Sequence, residues 1–201
     1  MLARTTCPIF NATFDSSIFG DLSECKMKKD LHVGDLLSVK VNRPTGFVIA
    51  LGEGFKGFWA FITGRFIATH SCTVYRSHAS FFVDMADFPN AYQIPLNKYL
   101  KLLKKQGSKY RIRRVGHLAN SSLIKMYIRE NLNTPYEPIG ELALTAIDLN
   151  QNDVNTMMCS ERYVRNQKQA GAGWCKGINP EHITPAELDV KAKKVARKCK
   201  R

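Results

Sequence analysis

The chain has 201 residues, 44% of them apolar, with eleven Phe and seven Tyr, a composition that supports a packed core and excludes a disordered chain. A formal net charge of +13 points to an anionic partner, either nucleic acid or an acidic membrane surface. No apolar run approaches the ~20 residues of a membrane-spanning helix and no leader pattern opens the chain, so the expectation is an intracellular protein, cytoplasmic or nuclear.

The charge is polarised. Residues 88–129 hold ten Lys or Arg and no Asp or Glu, and residues 191–201 hold seven and none. Between them, residues 130–190 carry nine acids and four bases, a region suited to meeting the basic block of a second copy in a homo-oligomer. Cys7, Cys25, Cys72, Cys159, Cys175 and Cys199 are widely spaced with no Cys-x-x-Cys pair, and they read as reduced thiols.

In chain order, residues 1–30 are irregular in pattern. Asp35 to Arg43 alternates, with Leu37, Val39 and Val41 on one side, as in a half-buried strand. Pro44-Thr-Gly46, Gly52-Glu-Gly54 and Thr63-Gly-Arg65 read as turns, which makes Phe47–Leu51 and Phe55–Ile62 two further strands. Phe66–Thr69, Cys72–Tyr75 and Ser80–Met85 continue the series. The fold class expected is α+β: an antiparallel β-meander or small barrel over 31–87, then a mixed helix and strand region, then a basic C-terminal helix.

Gly34-Asp35, Gly46-Phe47-Val48, Leu51-Gly52-Glu-Gly54 and Gly57-Phe58 together resemble the S1-type RNA-binding domain of the OB class over Val33–Phe61. The resemblance implies a barrel whose Phe47 and Phe58 face RNA. The chain departs from that pattern in its short connection before Gly46 and in lacking the family's later strands after residue 62.

Leu96–Gln106 reads as a helix, because Leu96, Tyr99, Leu100 and Leu103 form an apolar stripe at i, i+3, i+4 and i+7. Pro95 suits its first position and Gly107 the residue past its end. Lys98, Lys101, Lys104 and Lys105 lie largely off that stripe. Lys109–Val115 then alternates, with Tyr110 and Ile112 on one side and Arg111 and Arg113 on the other, and Arg114 beyond. Asn120–Glu130 fits a helix or a strand, with the helical pattern preferred. Ile139–Leu149 reads as a buried strand and Asn150–Gln169 as a helix.

Residues 170–181 read as a glycine-rich linker, which bounds a single α+β domain at 1–169. Thr184-Pro185-Ala186-Glu187 is a capping box with proline at the first helical position, and Ile183 can staple onto Leu188. It starts the basic helix of 182–201, whose cations include Lys191, Lys193, Lys194, Arg197 and Lys198.

These patterns support non-catalytic binding of RNA or single-stranded DNA. Lys98, Lys101, Lys104, Lys105, Lys109, Arg111, Arg113, Arg114 and the tail cations would neutralise phosphates, and Tyr110 with Tyr99 would stack on bases. The alternative is a matrix-type assembly protein held on an anionic membrane surface or an acidic partner. No catalytic motif stands out: Ser122-Leu-Ile-Lys125 lacks companion motifs, and paired carboxylates are not apparent. His70-Ser-Cys72 with His78 is the one local His/Cys cluster. It lacks paired ligand knuckles and reads as a satisfied histidine beside a buried thiol, so no metal or cofactor is expected.

Overall fold

The computed structural model describes residues 14–15, 31–52, 54–87, 89–115, 120–136 and 156–198. Six strands, β1 (Phe14–Asp15), β2 (Leu36–Lys40), β3 (His70–Ser77), β4 (Ser80–Ala86), β5 (Ala91–Pro95) and β6 (Lys109–Arg113), form one open sheet in the order β1-β6-β2-β3-β4-β5. Every neighbouring pair is antiparallel. With helices on the sheet this is an α+β architecture, and the open edges exclude the small barrel.

The first correction concerns residues 44–62. Helices α1 (Pro44–Gly52) and α2 (Gly54–Ile62) stand where two strands were expected, which removes the basis for the S1 resemblance. Proline here opens a helix instead of a turn, as its fixed φ allows. Gly46 is held by proximity: a Cβ there would lie 2.2 Å from the Val41 carbonyl oxygen. Among the described residues, no helix is long and apolar enough to cross a membrane.

Strand alternation divides the core. Leu37, Val39, Cys72, Val74, Val83, Met85 and Ile112 pack with Leu96, Tyr99 and Leu103 of α3 (Leu96–Lys105). Each such side chain contributes about 1.5–3 kcal/mol by leaving water. Helix α3 has its expected span, except that Pro95 closes β5 and occupies the N-cap. Gly107, at φ +65°, follows its end, as the left-handed residue there requires.

Leu36 joins a second cluster with Tyr163 and Val164 of α5 (Cys159–Gln169) and Leu188 and Ala192 of α6 (Pro185–Lys198). Helix α4 (Ser121–Glu130) buries Ile124 and Ile128 against Tyr75 and Ala170. Its N-cap Asn120 accepts a 3.0 Å bond from the Ser122 N–H, which settles the helix reading for that segment.

Residues 170–181, read as a linker, form two short 3-10 turns, Gly173–Cys175 and Pro180–His182. Ala172, Cys175 and Ile178 are buried in the same cluster as Leu188. The capping box of α6 is present: the Glu187 N–H donates to Thr184 Oγ1 at 3.3 Å and the Thr184 N–H to Glu187 Oε2 at 3.4 Å. Ile183 and Leu188 share the core. The strand expected over Ile139–Leu149, and residues 150–155 of the expected helix, lie outside the described residues.

Candidate active site and the basic surface

Helix α5 is fixed to the sheet by a buried polar network. Arg162 donates to both carboxylate oxygens of Asp84 on β4 at 2.8 Å each, and to the Asn131 carbonyl at 2.8 Å. Asn166, one turn on, donates to Thr73 Oγ1 at 2.8 Å and to Asp84 Oδ2 at 3.0 Å. Tyr163 and Gln167 both donate to the Gly34 carbonyl at 2.8 Å. A forked guanidinium on a carboxylate permits little rotation, so the position of the first residue of α5 is set.

That residue is Cys159, 2% exposed and packed with Ala86, Ala91 and Tyr136. The first N–H groups of a helix have no acceptor within it, and the helix dipole favours negative charge there. Glu161 completes the turn, accepting the Met158 N–H at 3.3 Å.

His70, the first residue of β3, faces this helix start. Its imidazole lies within side-chain hydrogen-bonding reach of the Cys72 and Cys159 sulfurs. Burial opposes a charged ring, but its interactions with Cys72 and Cys159 raise the His70 pKa well above its ordinary value. Cys72 is different. Burial raises its thiol, with His70 opposing, so it stays the neutral S–H and donates to Tyr99 Oη at 3.8 Å. His70 Nε2 is buried with no hydrogen-bond partner. The expected satisfied histidine is therefore corrected: one ring nitrogen stands ready for a further partner, and such an orphan calls for an explanation.

A cavity of about 180 Å³ is lined by His70, with Asp87, Tyr92, Tyr99 and Tyr136 and the apolar Val48, Ile49 and Leu102. Cys159 is not among its lining residues, but Tyr136, which lines it, also packs against the cluster that holds Cys159. Among the described residues no group of three His, Cys, Asp or Glu is arranged to hold a metal ion.

The fourteen cationic and aromatic positions singled out in the sequence do not form one surface. Lys98, Lys101, Lys104 and Lys105 are exposed on α3, and Lys191, Lys193 and Lys194 on α6. The side chains of Arg197 and Lys198 lie outside the described residues. Lys109 is exposed and reaches the Gly64 carbonyl at 3.3 Å.

The arginines of β6 behave otherwise. Arg113 is 2% exposed and forked onto Asp189 of α6, with both nitrogen–oxygen distances 3.0 Å. Ser38 adds a 2.7 Å bond to the same carboxylate. Arg114 lies 3.9 Å from Asp35, and the Arg111 guanidinium sits 3.9 Å from the centre of the Phe66 ring. Tyr99 is core and Tyr110 packs half-buried against it, so the paired stacking platform expected from the sequence is not present.

His70 and Cys72 were visible in the sequence as neighbours on one strand face. Cys159 was missed. The signal available was Met158-Cys-Ser-Glu161, a helix start with glutamate at its third position. A scan of the sequence against protein-family models finds no match, and comparison with curated proteins finds no significant relative.

Proposed function

We propose that the protein is a cysteine-dependent hydrolase or acyltransferase, with the Cys159 sulfur as nucleophile and His70 as general base. The observation that carries this reading is a buried imidazole that lines a cavity, has one unsatisfied nitrogen, and interacts with a cysteine at a helix start. Nucleophilic thiols are activated by this combination of histidine and helix terminus.

His70 accepts the proton of the Cys159 thiol as the sulfur attacks the carbonyl carbon of an ester or amide. The oxyanion so formed is positioned for the N–H groups of the first turn of α5. Collapse expels an alcohol or amine, which takes its proton from His70, and leaves a thioester on Cys159. A water or a second alcohol, deprotonated by His70, then attacks the thioester and releases the acid or the new ester. Asp84, Arg162 and Asn166 act as positioning residues that hold the start of α5 against β3. Free thiols persist most readily in the reducing interior of a cell, a setting that suits Cys159 as a nucleophile.

The test uses p-nitrophenyl butyrate and, separately, iodoacetamide with peptide mapping. The wild-type chain releases p-nitrophenol with an initial burst, and iodoacetamide modifies Cys159. Cys159→Ala abolishes release, His70→Asn lowers it by roughly 10²–10⁴-fold, and Cys72→Ser retains most of it. Unchanged release by Cys159→Ala, or alkylation of other cysteines that leaves Cys159 unmodified, overturns the reading.

A further inference from the structure

The cavity beside His70 opens between two unlike walls. One comes from α1, through Gly46, Val48 and Ile49; the other comes from α3, through Leu102, Leu103 and Gln106. Apolar surface continues outward from both. Leu102 lines the cavity and is 38% exposed, while Phe47 and Leu51 on α1 are 36% and 46% exposed. On α2, Trp59 and Ile62 are 52% and 58% exposed. Residues 44–62 contain only two charged residues, Glu53 and Lys56.

On α3, Leu102 does not stand alone. Lys98, Lys101, Leu102 and Lys105 fall at i, i+3, i+4 and i+7, one face of the helix, and all four are exposed. No acidic residue lies anywhere in 88–129. Exposed apolar side chains on α1 and α2, which pack on each other, with a lysine stripe on α3 across the cavity from α1, are the ingredients that suit the interface of an anionic bilayer. There, apolar side chains enter the acyl boundary and lysines remain among the headgroups.

We infer that the face formed by α1, α2 and α3 docks on an anionic membrane surface and presents a lipid acyl group to the cavity; the second half rests on Cys159 being the nucleophile. Two arguments favour a membrane over RNA for this face. The stacking residue Tyr99 is buried and the forked donor Arg113 is consumed by Asp189. Of the exposed apolar residues, Leu51, Ile62 and Leu102 are aliphatic, which lipid accommodates and nucleotides do not require.

The test is co-sedimentation of the full chain, as wild type and as Cys159→Ala, with vesicles of phosphatidylcholine alone or mixed with phosphatidylserine. Both proteins are expected on the mixed vesicles and in the supernatant with phosphatidylcholine alone. Lys98→Gln, Lys101→Gln and Lys105→Gln together reduce partitioning about a hundredfold, at about fivefold per lysine. Trp59→Ser with Ile62→Ser reduces it without changing the unfolding transition, because both side chains are more than half exposed. Absence of wild-type binding, or equal partitioning of all variants, overturns the docking. So does lysine-dependent retention on single-stranded RNA without vesicle binding. Hydrolysis of soluble p-nitrophenyl butyrate separates the two ideas: Cys159-dependent release without vesicle binding leaves the dyad and removes the surface. Vesicle binding without Cys159-dependent release keeps the surface and removes the dyad, and with it the lipid acyl substrate.

Discussion

Helix α3 and strand β6 are near neighbours in sequence and both rich in cations, yet the fold uses the lysines of one and the arginines of the other in opposite ways. The lysines of α3 remain in water, off the stripe formed by Leu96, Tyr99 and Leu103. The arginines of β6, and Arg114 just past its end, turn inward or lie flat, onto Asp189, the Phe66 ring and Asp35. A lysine carries a strongly hydrated point charge, whereas a guanidinium can be desolvated and matches a carboxylate with two parallel bonds. Charge density in sequence therefore does not measure surface charge; the kind of cation and the presence of a partner decide it.

The comparison breaks most severely if the partner is removed wholesale. Deleting residues 182–201 takes away Asp189, Leu188 and Ala192 together, which strips Arg113 of its carboxylate partner and opens the second core cluster. The truncated chain is expected to lose its cooperative urea transition. A retained transition of wild-type slope would mean that α6 contributes no core.

A single substitution sharpens it. Asp189→Ala should cost about 3–5 kcal/mol, the usual penalty for orphaning one member of a buried ion pair. Lys104→Gln, on exposed α3, should stay within about 0.5 kcal/mol. Urea midpoints measured side by side test the contrast, and equal shifts would dissolve it.

A smaller effect separates the second inner pairing. Burial raises the Asp35 pKa from 3.8 to about 7, with the His32 N–H and then Arg114 opposing. Because the folded value exceeds the unfolded one, its contribution to stability is full below pH 3.8 and is lost as pH rises through 7. Asp35→Asn fixes the neutral form and can still accept the 2.9 Å bond from the His32 N–H. Relative to wild type it should gain about 2–4 kcal/mol between pH 4 and pH 8, read from urea titrations at each pH. A constant difference across that range would show that Asp35 stays ionised throughout.

Local chemistry in the sequence determined several elements. The spacing of Leu96, Tyr99 and Leu103 specified α3, the alternation of Lys109–Arg113 specified β6, and Thr184 with Glu187 marked the start of α6. In each, the interaction that defines the element joins residues a few positions apart, so a short window contains its cause. Residues 44–62 lacked that property. An apolar run with Pro and Gly at its ends satisfies a buried strand or a short helix equally, and the choice of helix is seen only in the tertiary structure. The candidate site was half legible: alternation placed His70 beside Cys72, but nothing local ties His70 to Cys159. Bonds such as Arg162–Asp84 and Asn166–Thr73, joining α5 to strands distant in sequence, bring that sulfur to the imidazole. Contacts of that kind are chosen by the three-dimensional packing of the whole sheet, and no window of sequence holds them.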